Sequence, residues 1–331
     1  MPTGDHIAYA YQNLLNYPEY KHFEYKFDFY TIIVIITLIY FFPSAYCTLK
    51  MVLFYRKEAS KTSPHSIHPY VFKSFLMMQI WNTANIILDF LLVRIPSTTL
   101  LTSFCTSLGP GNIMPTFVAG LYFTFYLSQF FTILFCFMRV LILFSPRNHN
   151  KLCAMSYLLW SPAAYVLSSV SSFPHVISNV ICLQFDVPYQ DGAIAISSTY
   201  YFGNRSLNLF HLIFSTFTML AIMLSTALMM LKLRRRKMMS TSNRPFHRTK
   251  AEATLTITMF IIMIPAFFAQ IISIGRLIDW PYYSYILVAR PILVDSRVNI
   301  VSCYFYLTHP LFKPHVLNLA ITVRALNTTT T

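Results

Sequence analysis

Four ionisable side chains stand in stretches that are otherwise apolar: Asp89, Arg290, Asp295 and Arg297. A charge surrounded by hydrocarbon costs several kcal/mol unless it is paired or solvated, so such residues form ion pairs or line a polar path. Asp89 and Arg290 lie at similar depth in their stretches, which predicts an Asp89–Arg290 pair. Arg290 and Arg297 are seven apart and share a helix face, with Asp295 turned elsewhere. The pattern reads first as structural ion pairing, with a ligand role as the alternative. Six cysteines are present, at positions 47, 105, 136, 153, 182 and 303, without a Cys-x-x-Cys pair. His65 and His68 have a spacing that could hold a metal, but two histidines in a basic loop read as solvated. There is no His-Glu-x-x-His, no Walker loop and no Gly-x-Ser-x-Gly. The expectation is no enzyme, no cofactor and no metal.

These residues need elements to place them, and composition says which. Apolar residues make up 56% of the 331, and charged residues only 11%, against about 25% in a soluble protein. A bilayer core of ~30 Å takes about 20 apolar residues of helix. Seven stretches qualify: Phe29–Leu53, Val71–Val93, Thr116–Leu143, Leu152–Phe173, Leu207–Leu231, Ala251–Gly275 and Tyr282–Tyr306. The seventh is the weakest because it holds Arg290, Asp295 and Arg297. All must be helices, since every backbone polar group is satisfied inside the bilayer. The expected fold is an all-α membrane protein, a seven-transmembrane helix bundle over residues 29–313. A segment 1–28 precedes it, without a cleaved signal peptide, and a tail 314–331 follows.

Basic residues orient the bundle. Of the 25 Lys and Arg, 18 fall on the side of Arg56, Lys151, Lys250 and Lys313, five on the side of Lys21, Arg94 and Arg276, and two in the seventh span. The C-terminus is therefore expected inside the cell and the N-terminus outside. The net charge of +14 becomes a property of the inner face, suited to anionic lipid and an acidic partner. No basic-aromatic repeat or zinc-finger spacing supports nucleic-acid binding. Only Cys105 and Cys182 fall in outer loops, where a pair should oxidise; the other reading is two unpaired thiols. Cys105 is expected on a loop, because Gly109, Pro110, Gly111 and Pro115 break the approach to the third span. Arg139 ends the third span, either snorkelling or making a contact that changes with state. Pro265, mid-way along the sixth span, is a candidate kink. Asn204-Arg205-Ser206 is a glycosylation sequon on the outer side.

The last third resembles a known family. Ala251-Glu252-Ala253-Thr254-Leu255-Thr256-Ile257-Thr258 is similar to the start of the sixth helix in nematode serpentine chemoreceptors of the Srg superfamily. Arg290-Pro291 with Asp295, and Phe305-Tyr306-Leu307-Thr308-His309-Pro310 with Phe312-Lys313, resemble that group's seventh helix and its end. Arg94-Ile95-Pro96-Ser97-Thr98, Thr102-Ser103-Phe104-Cys105 and the Leu-Phe-Cys-x-x-Arg run from Leu134 to Arg139 are most like class U (Sru). The resemblance extends from about Phe29 to Lys313. It implies a G protein-coupled receptor that senses small molecules and signals through a heterotrimeric G protein, in the plasma membrane and by family habit in sensory cilia. On that analogy Arg139 takes the place of the arginine at the inner end of the third helix, with Met138 where an acidic partner usually stands. Arg139, Arg234, Arg235, Arg236 and Lys250 would face the G protein. Depth alone suggests Tyr122, Phe123, Gln270 and Arg290 as pocket residues. Ser302-Cys303-Tyr304 occupies the place of the family's Pro-Trp.

A secondary transporter or channel is the alternative, which would use the intramembrane charges as a substrate path. An odd span count, the lack of an inverted repeat and only 7 glycines speak against it. A non-signalling trafficking partner of other receptors would share the fold but tolerate Arg139→Ala.

Overall fold

The computed structural model describes residues 14, 17–58, 68–108, 113–145, 148–198, 204–239, 246–278, 280, 282–309 and 312; within these, the side chains at 204–208, 233, 235–239, 246–253, 276, 283 and 294 are not described. His65, residues 1–13 and the tail 314–331 lie outside the described residues. Seven long helices dominate: α1 (Phe29–Glu58), α2 (Pro69–Asp89), α5 (Met114–Phe144), α6 (His149–Ile177), α7 (Asn204–Met239), α8 (Phe246–Leu277) and α9 (Tyr283–Thr308). Five of them are long and apolar enough to cross a membrane: Phe29–Lys57, Pro69–Ser97, Met114–Phe144, Leu209–Lys232 and Thr254–Gly275. The other two, α6 and α9, are 29 and 26 residues long, but serines and prolines in one and charges in the other lower their hydropathy. The chain is an all-α membrane bundle.

Between α2 and α5 lie a π-helical turn at Phe90–Arg94, the single turn α3 (Ile95–Ser97) and the short α4 (Thr102–Thr106). Cys105 is therefore on a helical turn and not on a loop. The long helices pack as a closed circuit. α5 is the centre, touching α2, α6 and α7; α8 packs on α7 and α9, and α9 returns to α1 and α2. The core follows from this. Phe75 of α2, Phe131, Leu134, Phe135 and Met138 of α5, Met259 of α8 and Phe305 of α9 are fully enclosed in one cluster. The lipid-facing sides of α1, α6 and α7 keep Ile39, Leu159 and Ile213 exposed, as expected where the solvent is hydrocarbon. Some buried hydroxyls are satisfied within their own helices: Thr132 donates to Ser128 O at 2.7 Å and Thr258 to Thr254 O at 2.8 Å.

One end of the bundle carries an element that hydropathy does not reveal. β1 (Val180–Gln184) and β2 (Ile194–Ser198) form an antiparallel hairpin in register Val180↔Ser198 to Gln184↔Ile194. Cys182 of β1 is disulfide-bonded to Cys105 of α4, with Cα atoms 6.1 Å apart. Leu14, Leu92, Cys105, Val118, Val180, Cys182, Ile194 and Ile196 form a second small core under this cap. The segment before α1 is folded onto it. A 3-10 turn at Pro18–His22 lies on α4, where Ser103 and Thr106 donate to the Lys21 and Tyr20 carbonyls at 2.5 and 3.1 Å. Tyr20 donates its hydroxyl to Asp191 Oδ1 at 2.7 Å. Partial burial, reinforced by that bond to the carboxylate, pushes the Tyr20 phenol up to about 12. Gly192 closes the hairpin turn at φ 82°, with the Phe23 ring 2.5 Å from where a Cβ would sit, and its carbonyl accepts from Thr102 Oγ1 at 2.6 Å.

Candidate functional site

α9, the weakest span by hydropathy, is held by polar bonds to α1 and α2. Asp89 is the anchor. Its carboxylate accepts from Arg94 Nε at 2.7 Å through one oxygen and from Arg290 Nη2 at 2.9 Å through the other. Arg94 reaches on with Nη1 to Asp295 Oδ2 at 2.6 Å, and its guanidinium lies 4.4 Å over the Phe90 ring. Arg94 was expected as a loop cation; it is 4% exposed. The helix runs past the expected end at Val93, and the extra residue of the π turn carries Arg94 toward the bundle interior. Deeper along α9, Arg297 donates to Asn82 Oδ1 at 2.6 Å, Ser44 to Asn299 Oδ1 at 2.8 Å, and Ser302 to Gln79 Oε1 at 3.1 Å while bonding Thr48 at 3.0 Å. The expected Asp89–Arg290 pair is present, and Asp295, expected to point elsewhere, turns to Arg94.

Beside this clamp lies a cavity of about 290 Å³. Its wall is built by α5, α7, α8 and α9, and Leu183, Phe185, Ala195 and Ser197 of the hairpin form its roof. On α5, Tyr122, Phe125 and Gln129 face it at helical spacing. Tyr122 stacks on His175 at 3.6 Å between ring centroids and on His211 at 5.0 Å. His175 bonds Ser198 of β2 at 2.7 Å, and His211 shares a hydrogen bond of 3.0 Å with Tyr126. The roof is thus joined to α6, and α5 to α7. Across the cavity Gln270 accepts from Thr216 at 3.1 Å, Pro265 and Ala269 form the α8 wall, and Arg290 and Arg297 stand on the α9 side.

Of the residues proposed from depth for a pocket, Tyr122, Gln270 and Arg290 line this cavity. Phe123 does not: it turns away to meet Trp81 edge-on at 5.7 Å, because one residue along a helix rotates the side chain by about 100°. Phe125, His211 and Arg297 line the cavity and were not among the expected pocket residues, and His175, outside the lining, backs Tyr122; a histidine within an apolar span was the available signal. Arg139 is 7% exposed and aims Nη2 at Met229 Sδ, 4.0 Å away on α7. Expected to face a partner, it is enclosed at the end opposite the hairpin, since α5 continues to Phe144 and α7 packs over it. Arg234 is exposed on α7; the side chains of Arg235, Arg236 and Lys250 lie outside the described residues. Asn204 is the first residue of α7, and its side chain is likewise outside them. His68 bonds Asn150 at 2.7 Å. Among the described residues no cluster of three His, Cys, Asp or Glu could hold a metal.

A family model described as "Serpentine type 7TM GPCR chemoreceptor Sru" matches residues 15–315. The chain belongs to the Sru family of serpentine chemoreceptors. It is similar to "Serpentine receptor class U-26" of Caenorhabditis elegans, 25% identical over 243 residues, covering 71% of this chain and 82% of that relative. The match takes in the hairpin, the disulfide and the α9 clamp of this Sru chain together. No activity of an enzyme family accompanies it.

Proposed function

We propose that this Sru chain is a G protein-coupled chemosensory receptor whose small-molecule ligand occupies the cavity under the hairpin. The observation that carries the reading is the cavity itself, enclosed by α5, α7, α8 and α9 and walled by both aromatic and polar side chains, as small-molecule sites are. The hairpin end faces outside, which agrees with an oxidised Cys105–Cys182 pair and with the basic residues gathered at the other end. The ligand acts by binding one packing of the bundle better than another. α8 is the natural moving part. Pro265 lacks a backbone donor for the bond inside the helix and lies on the cavity wall, so a ligand touching it bears on the helix at its weakest point. Displacement of α8 and α7 would uncover Arg139 beside the basic end of α7, where a heterotrimeric G protein docks. The placement within the wider Srg superfamily rests on the Tyr-Leu-Thr-His-Pro run.

The test is a G protein reporter assay in cells expressing the full chain, screened with small organic molecules. Ala269→Trp, which fills the cavity, and Tyr122→Ala should each abolish a response while surface delivery persists. Arg139→Ala should leave ligand binding intact and lose the reporter signal. A response that survives Ala269→Trp sinks the cavity reading, and one that survives Arg139→Ala moves G protein contact elsewhere.

A further inference from the structure

The charges around the cavity do not balance. Arg94, Arg290 and Arg297 face Asp89 and Asp295, so one guanidinium is in excess among the described residues. The excess falls on Arg297. Arg94 has both carboxylates and Arg290 has Asp89, whereas Arg297 hydrogen-bonds the neutral Asn82 amide oxygen and only shares the field of Asp295, which is bonded to Arg94; its Nε finds no partner among the described residues. It is 7% exposed. A buried ion that must share its counter-charge with other cations is unfavourable. Arg290 is the one member of the clamp with an open flank: its side chain is 33% exposed, against 4% for Arg94 and Asp89. Both arginines line the cavity, and among the described residues no Asp or Glu does. The neutral polar groups there, Gln270 and Asn85 among them, cannot supply a counter-charge.

We infer that the ligand carries an anionic group, in its simplest form a carboxylate, which pairs with Arg297 and Arg290 while its apolar body lies against Tyr122 and Phe125. This deepens the receptor reading and rests on it. A carboxylate accepts bidentate bonds from a guanidinium, and it supplies the charge that the resting bundle lacks. An amine would meet two like charges. A neutral ligand would enclose Arg297 still further without balancing it.

The experiment uses the full chain in phosphatidylcholine nanodiscs, which present no net lipid charge. The probes are octanoate and 3-phenylpropionate, their methyl esters, and octylamine; binding is followed by thermal shift and by competition with radiolabelled octanoate. The carboxylates should bind tenfold or more tighter than their esters, equivalent to about 1.4 kcal/mol, and octylamine should not bind. Arg297→Gln should erase the preference for acids. Without any ligand it should melt at or above the wild-type temperature, because it removes an unbalanced charge. Esters that bind as well as acids, with both lost in Ala269→Trp, leave the cavity as a binding site and overturn the anionic ligand. Acid binding that survives both variants is partition into lipid and overturns it too. A lower melting temperature for ligand-free Arg297→Gln overturns it by showing the charge already satisfied. Lack of any carboxylate-specific shift in wild type overturns it whatever the variant does.

Discussion

Asp89 accepts from two guanidinium groups and is itself 3% exposed. Removing its charge would leave Arg94 with only Asp295 and Arg290 without its carboxylate. Breaking a buried ion pair at one partner costs about 3–5 kcal/mol, so Asp89→Asn should lower the melting temperature of purified receptor sharply and reduce the amount reaching the surface. Arg290→Gln should cost less, because that side chain is one-third open and pairs near a surface are worth about 0–1 kcal/mol. Equal losses for the two variants would show that Asp89 acts through something other than charge. The sequence already pointed to Asp89 and Arg290, since both are ionisable at matching depth. It hid Arg94, because the bond pattern of the π turn, and not residue type, decides that the side chain faces inward. Phe123 and Phe125 illustrate the same limit: helix phase separates wall from packing residue, and depth alone does not.

At the level of elements, the cap is where several weak bonds act together. Gly192→Ala would put a side chain at positive φ and drive its Cβ into the Phe23 ring. The backbone penalty alone is about 1 kcal/mol. The expected outcome is faster amide exchange over both Pro18–His22 and the hairpin, with α5 unchanged; protection that changes only in the hairpin would show that the N-terminal turn docks independently. Replacing both Cys105 and Cys182 by serine should cost about 2–4 kcal/mol, read as a lower melting temperature of the purified chain. The Tyr20–Asp191 bond has a defined pH range. A phenol held at about 12 when folded and about 10 when free stabilises docking fully below pH 10, and the contribution is lost as pH rises through 12. Neutral pH therefore leaves it intact, and Tyr20→Phe should loosen the N-terminal turn equally at pH 6 and pH 8. The hairpin escaped notice in the sequence because five-residue strands carry no long period, whereas the cysteines at its root did mark where it is fastened.

For the whole molecule, hydropathy anticipated the number of long helices, charge asymmetry proposes a direction for them, and packing supplied what neither could. α6 and α9 fall short as lipid spans by composition; α9 is held between α8, α1 and α2, while α6 lies along α5 and keeps Leu159 and Val170 on its outer side. Epitope tags at the two ends should be accessible to antibody at the N-terminus in intact cells and at the C-terminus only after permeabilisation. Both ends inside would require an even number of crossings, with α9 the first to be questioned.

The α9 clamp also sets an order for biosynthesis. Arg and Asp near the middle of a helix each oppose membrane insertion by about 2.5–3.5 kcal/mol, and α9 carries Arg290, Asp295 and Arg297 within two turns. Asp89, its main acceptor, is 201 residues earlier in the chain. α2 must therefore wait in the membrane with its carboxylate uncommitted to α9 until the ribosome has delivered the 201 residues that separate Asp89 from Arg290, and α9 is then retained by the helices already present. A nascent chain that stops before α9 therefore displays Asp89 and Arg94 without Arg290 and Asp295, a polar fault in the bilayer that only the arrival of α9 covers.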